Sequence, residues 1–397
     1  MTLAISAPAA LSAAGLRRVL FALCLTEVTS YGILYYAFPV MATRISAGTG
    51  WSTISITAAF SGAQLVAALV GIPIGRHLDR HGPRVTMTAG SMLAVLATVV
   101  IALAPTLPTF IAAWLLAGVA MGAVFYPPAF TALTRWYGPR RVHALTWLTL
   151  AAGLASTVFA PVTAGLMEEW GWRNAYLILA GVLAVVTVPA HWWGLRGPWP
   201  EVPVERPGDT AADTPRRIAR SLPFVGITIA LSLSSFAAFA AVINLVPLLL
   251  ERGLDSGTAA LALGLGGAGQ VAGRLTYPLL SRHVGVRART AVILTTSAST
   301  IALLGVLSSP TMLIVMAIGA GMARGLVTLV QATAVSDRWG TTHYGRLTGV
   351  LSAPVTVSIA LAPGAGAVIA SLTGGYSTAF LVIAVMGAVG AAMAHTA

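Results

Sequence analysis

The sequence contains no lysine: all 23 basic residues among its 397 are arginine. It has 11 acids and one cysteine, Cys24. Charged residues make up only 9% of the chain, apolar residues 57%, and mean hydropathy is +0.86. A soluble domain carries about a quarter charged residues, so the polar material here is too scarce to cover a water-exposed globule. One thiol excludes an intrachain disulfide, and no Cys/His cluster has zinc spacing; neither a metal nor a cofactor is expected. There is no His-Glu-x-x-His and no Gly-x-Ser-x-Gly, which argues against a membrane-embedded enzyme. The glycine-rich "LGLGGAG" at 263–269 lies inside an apolar run without strand-turn-helix context, so it is not a nucleotide loop.

What the chain does have is long apolar runs. They fall near 17–43, 53–76, 85–104, 108–134, 142–167, 173–195, 221–250, 258–281, 288–307, 310–336, 345–371 and 376–396. About 20 helical residues span a bilayer, and backbone groups in lipid must be satisfied within the segment. The expected fold is therefore an all-α membrane protein with twelve transmembrane helices. The run after Arg17-Arg18 exceeds the short core of a cleaved signal peptide, so it reads as a retained first span.

The interruptions set the orientation. Eighteen arginines, among them Arg17, Arg18, Arg76, Arg80, Arg84, Arg135, Arg289 and Arg346, fall on one side. Arg44, Arg173 and Arg252 fall on the other, with Glu168, Glu169, Glu251 and Asp255. The positive-inside rule places the first set and both termini in the cytoplasm. The pI near 11 is then a topology signal, and no nucleic-acid partner is expected. The longest hydrophilic interval follows the sixth run and is rich in proline and charge. It divides the chain into 1–196, a cytoplasmic linker 197–220, and 221–397.

The two parts resemble each other. "AGVAMGAVF" (117–125) lines up with "AGMARGLVT" (320–328), each about ten residues before an Arg-Trp pair, Arg135-Trp136 and Arg338-Trp339. "GWRNAYL" (171–177) lines up with "GYSTAFL" (375–381). Duplicated six-helix halves are a transporter design with the substrate site near the bilayer midplane.

Residues 75–84, "GRHLDRHGPR", resemble the loop signature after helix two of the major facilitator superfamily, and with the span count the resemblance covers the whole chain. It implies two pseudo-symmetric six-helix bundles working by rocker-switch alternating access. It also implies a gating loop of Gly75, Asp79, Arg80, Gly82 and Arg84, in which Asp79 latches the halves; the bland alternative is a set of topology anchors. The second copy, 281–289, has no acid at the Asp position. More narrowly, "SYGILYYAFPV" and the stretch 123–177 look like bacterial relatives of the monocarboxylate and oxalate/formate carriers. That resemblance implies a helix-eight cation meeting the substrate carboxylate, and Arg274 stands at that position. Two departures are Gln270 in place of an Asp one turn earlier, and Val40 after Phe38-Pro39 in place of a lysine.

Three ionisable residues lie well inside runs: Glu27, Arg274 and Arg324. A charge at bilayer centre costs roughly 2.5–3.5 kcal/mol on insertion scales, so each should face a cavity or a partner. Glu27, Tyr31 and Tyr35 recur at four-residue spacing on one face. Glu27 is the candidate proton carrier, and Arg274 and Arg324 are candidate carboxylate ligands, because guanidinium forks match carboxylates. Tyr31, Tyr35, Gln270, Asn244, Tyr126 and Gln331 are candidate lining residues; interhelical hydrogen bonding is their structural alternative. The expectation is a monomeric secondary transporter in the inner membrane, moving a small organic anion with protons. The competing expectation is an exporter of drugs or amphipathic metabolites by proton antiport.

Overall fold

The computed structural model describes residues 11–200 and 214–396. The middle of the expected linker lies outside the described residues. Every regular element among those described is helical. The first eight helices are α1 (Ala13–Tyr31), α2 (Ala37–Thr49), α3 (Thr53–His81), α4 (Pro83–Leu103), α5 (Leu107–Val124), α6 (Tyr126–Tyr137), α7 (Arg141–Gly153) and α8 (Ala155–Gly194). The rest are α9 (Pro215–Arg220), α10 (Leu222–Ile243), α11 (Leu245–Glu251), α12 (Ser256–His283), α13 (Val286–Val306), α14 (Pro310–Trp339), α15 (Tyr344–Thr373) and α16 (Tyr376–Thr396).

Helix starts follow from side-chain caps. Ser12, Ser52, Thr106, Ser221 and Asp255 each accept a hydrogen bond from the backbone N–H three residues on. Each bond satisfies one of the donors that a helix leaves open at its first turn.

Several expected runs are broken where the sequence alone shows one apolar stretch. A π-turn, Gly32–Tyr36, separates α1 from α2; at Gly32 the Phe159 ring of α8 presses directly on the backbone. The run 108–134 breaks at Phe125, whose backbone is extended (φ −85°, ψ −170°). Pro127 follows, and a proline there would clash with the carbonyl four residues back in a continuous helix. Asn244 divides α10 from α11 and Leu154 divides α7 from α8; Gly171 (φ 73°) interrupts α8 in the gap expected between the runs 142–167 and 173–195.

Nine helical stretches among the described residues are long and apolar enough to cross a bilayer. One of them, Leu107–Gly194, is 88 residues long. At about 1.5 Å per residue it far exceeds a hydrocarbon core of about 30 Å, so it crosses repeatedly and turns at its breaks. Large apolar side chains such as Phe21, Leu69, Leu96, Leu279 and Val385 point outward, as lipid contact requires. The protein is an all-α, multi-span membrane protein.

The chain separates into two compact units, Met1–Thr210 with Gly340–Gly349, and Ala211–Trp339 with Val350–Ala397. Inside the first, α3 packs on α5, α4 on α5 and α8, and α1 on α8. Inside the second, α12 packs on α14, α13 on α14 and α16, and α10 on α16. The internal pairing is the same, as the sequence repeat predicts. The α12–α14 crossing is close: a Cβ at Gly321 would run into the Gly266 carbonyl, and one at Gly273 into that of Met322.

Candidate functional site

In the first unit, Glu27 lies on α1 and is fully buried. Neither of its carboxylate oxygens has a hydrogen-bond partner among the described residues. One turn on, Tyr31 stacks on Phe125 with centroids 4.0 Å apart and meets Tyr126 at 4.9 Å. The break at Phe125 is what turns both rings toward α1. Tyr126 stacks on Phe130 at 4.9 Å, and Tyr35 meets Tyr31 at 6.3 Å and Phe60 at 5.5 Å. The structure therefore brings Tyr31, Tyr35 and Tyr126 into one aromatic wall beside a buried carboxyl group. The π-turn rotates Tyr35 relative to the simple four-residue spacing read from the sequence.

In the second unit, Arg274 on α12 is buried, 4% exposed. One turn before it, Gln270 accepts a hydrogen bond from Arg324 Nη2 at 2.8 Å. The glutamine is thus a neutral partner for the arginine of the neighbouring helix. Gln331 lies two turns after Arg324 on the same face of α14 and is half-buried. A small cavity of about 30 Å³ adjoins Arg324, with Ala238, Ala241, Leu245, Gly266 and Ser297 in its wall. That volume holds about two waters. Asn244 is placed differently: it is buried, its Nδ2 donates to Ala240 O at 2.9 Å, and Gly366 packs against it. Its amide closes the end of α10.

The 75–84 loop gathers a third cluster within the first unit. Asp79 is buried. Its Oδ1 accepts from the Gly345 N–H at 2.9 Å and its Oδ2 from the Arg346 N–H at 2.7 Å. These are open donors of the first turn of α15, where a carboxylate complements the helix dipole. Gly75 lies against the Gly345 carbonyl, with no room for a Cβ. The cations near Asp79 come from outside its own loop: Arg346, and Arg135 at the end of α6, which lies 3.8 Å from the carboxylate and also donates to the Asp79 carbonyl at 2.8 Å. Arg80 is exposed. Arg84 lies over the Trp192 ring at 4.0 Å and donates to the Trp192 carbonyl. Gly82 is left-handed (φ 78°), a conformation glycine adopts freely.

The second copy of that loop also finds an acid. Arg289 pairs with Asp337 at the end of α14, 2.5 Å away. Arg338 donates to Thr290, and Tyr277 bonds Thr333 at 2.6 Å. The second copy has no acid at the repeat position itself; the acid of this cluster is Asp337, on α14. The Arg-Trp pairs that mark the repeat were the available signal for Arg135 and for this cluster.

Two units with the same internal helix pairing, both rich in apolar spans and each holding buried ionisable side chains, have the architecture of a membrane transporter. The Major Facilitator Superfamily profile matches residues 23–298 and 253–396, and the chain belongs to that superfamily. It is similar to monocarboxylate transporter 13 of Rattus norvegicus, 26% identical over 370 residues, covering 91% of this chain and 82% of the relative. It is also similar to the oxalate:formate antiporter of Oxalobacter formigenes, 23% identical over 379 residues, covering 94% and 88%. The fold matches the fucose:proton symporter of E. coli with a TM-score of 0.73 at 14% identity, over 95% of this chain and 97% of that one. The protein is thus a secondary transporter of a small molecule and not an enzyme.

Proposed function

We propose that the protein is a proton-coupled carrier of a small organic anion, monocarboxylate-like, in the cytoplasmic membrane. It crosses the bilayer twelve times in two six-helix bundles, 1–196 and 221–397, with both termini cytoplasmic, and works as a monomer by rocker-switch alternating access. Arg274 and Arg324 bind the substrate carboxylate; Gln270 holds Arg324 in place. Glu27 carries the proton, and Tyr31, Tyr35, Tyr126 and Gln331 line the path. Asp79 latches the first turn of α15, with Arg135 as its counter-charge.

The observation that carries this reading is the placement of Arg274, almost fully buried in α12 one turn after the Gln270–Arg324 pair. Burying a guanidinium in a membrane helix is costly, and a fork-shaped cation suits a carboxylate. The names of the two relatives point to the same substrate class.

A second reading, an exporter of amphipathic metabolites, is favoured by the aromatic wall of Tyr31, Phe125, Tyr126 and Phe130. The two separate in one assay. Purified protein in liposomes is screened for uptake of labelled formate, acetate, lactate and oxalate, with and without an inward proton gradient. The anion reading expects saturable uptake that Arg274→Ala shifts to much higher substrate concentration. Uptake of none of them, with efflux of a hydrophobic cation instead, makes the protein an exporter.

A further inference from the structure

The run Gly197-Pro198-Trp199-Pro200 follows α8 and opens the hydrophilic interval that the sequence presents only as a linker. Its backbone and its indole lie on the Asp79 cluster. Trp199 Nε1–H donates to the Asp79 carbonyl at 3.1 Å, the same oxygen that Arg135 bonds. The Arg135 guanidinium lies over the Trp199 ring, 4.7 Å from its centroid, and its Nη2 donates to the Pro200 carbonyl. The edge of Trp136 meets Trp199 at 5.2 Å and 88°, and Trp136 Nε1 donates to the Pro198 carbonyl at 3.0 Å. Gly82 closes the other side: a Cβ there would stand 3.1 Å from the indole.

From these contacts we infer that Trp199 is a positioning residue of the latch: it fixes Arg135 against Asp79, so that the start of the linker is a working part of the gate. The inference rests on the latch role of Asp79 proposed above. Arg135 is a long side chain with many rotamers, and its guanidinium would move to water if unrestrained. The strap gives it a ring face and a carbonyl, which are the two partners a planar cation takes best. With Arg135 held, the Asp79 carboxylate keeps its counter-charge while it accepts the N–H groups of Gly345 and Arg346. With Trp199 gone, the cation leaves, the Asp79 carbonyl loses a donor, and the grip on residues 345 and 346 weakens. Pro198 and Pro200 stiffen the run on either side of the indole, so Trp199 is presented at small entropic cost. In the other unit, the tryptophan of the second Arg-Trp pair is also covered, by the first turn of α10: Trp339 packs on Phe224 at 5.2 Å.

The test reads the latch itself and needs no substrate. Thr348 lies in the same 340–349 segment and is 2% exposed. In full-length protein carrying Cys24→Ser and Thr348→Cys, the rate of maleimide labelling at 348 reports release of that segment. Labelling is expected to be slow in this background. Trp199→Ala should raise it about tenfold, the loss of one cation–π contact and one hydrogen bond. Asp79→Ala should raise it at least as much, and Trp199→Phe, which keeps a ring but cannot donate, about threefold. Gel filtration and the melting temperature show whether each variant is folded; if Trp199→Ala is not, Trp199→Phe decides. A lower melting temperature with parental labelling rates for both Trp199 variants, while Asp79→Ala labels fast, makes Trp199 merely structural and overturns the inference. Parental labelling in Asp79→Ala overturns the latch reading, and this inference with it.

Discussion

Arg274 and Arg324 show what a single side chain must satisfy inside a membrane protein. Each carries a charge that hydrocarbon will not accept, so each is enclosed by its own unit. Arg324 is tied through Gln270 Oε1 at 2.8 Å, an acceptor that carries no charge of its own. The substitution that tests Arg274 is therefore the conservative one as well as the deletion. Arg274→Ala is expected to raise the apparent substrate constant about 100-fold, the upper range for hydrogen bonds to a charged group. Arg274→Lys should raise it about tenfold, since an ammonium keeps the charge but not the two-pronged geometry. Concentration dependence of uptake in liposomes measures both. Equal loss in the two variants would show that the fork is what matters, and no loss in either would remove Arg274 from the substrate path.

At the scale of helices, two contacts make separable predictions. The α12–α14 crossing depends on backbone approach at Gly321, where a methyl group would meet the Gly266 carbonyl. Gly321→Ala should destabilise by about 1–3 kcal/mol, the usual cost of overpacking, read as a lower melting temperature in detergent. Gly264→Ala on the same helix α12 meets nothing within 4 Å and should be neutral or stabilising, because alanine is the better helix former. The second contact joins the end of α11 to the start of α16. Glu251 accepts from the N–H groups of Tyr376 and Ser377 and from the Ser377 hydroxyl. Partial desolvation pushes its carboxyl up, but these hydrogen bonds and Arg252 outweigh it and hold the carboxyl below its ordinary 4.5. A depressed value means the clasp stabilises the fold above pH 4.5 and is lost as pH falls through the lower, folded value. The melting temperature of Glu251→Gln should thus lie below that of the parent at neutral pH, and the gap should close in acid. A gap that persists unchanged at pH 3 would mean that the charge contributes nothing.

These elements also show what the sequence could and could not tell. Helix positions were legible because lipid admits only internally bonded backbone, and the caps at Ser52, Thr106 and Asp255 stand in the sequence where the helices begin. The breaks at Phe125 and Asn244 were not, since both fall inside unbroken apolar runs and depend on packing against other helices. Glu27 and Arg274 stood out by rarity alone. Their surroundings did not: Gln270 was visible as a departure, but its bond to Arg324 joins residues 54 apart. The partners of Asp79 lie 56 and 266 positions away, at Arg135 and Gly345, distances at which a single sequence carries no pairing signal. Trp199 looked like part of a solvated linker, because its composition is that of one.

For the whole molecule, the acid and the arginines are divided between the units: Glu27 in the first, Arg274 and Arg324 in the second. That division gives the proposed mechanism a specific signature. If substrate affinity resides in the arginines and coupling in Glu27, the two kinds of variant must fail differently. Exchange of internal for external substrate needs binding and reorientation of the loaded carrier, but no net proton movement. Accumulation against a gradient needs the proton as well. Glu27→Gln keeps the shape of the side chain and removes its titration, so exchange should persist within about threefold of the parent while gradient-driven accumulation is lost. Arg274→Ala should lose both to the same extent. Counterflow and pH-jump uptake in the same liposome preparation measure the two processes side by side. Loss of exchange in Glu27→Gln would make the carboxyl part of the binding site or the packing. Retained accumulation would place the proton path elsewhere, and the aromatic wall beside Glu27 would then be read as a surface for apolar substrate.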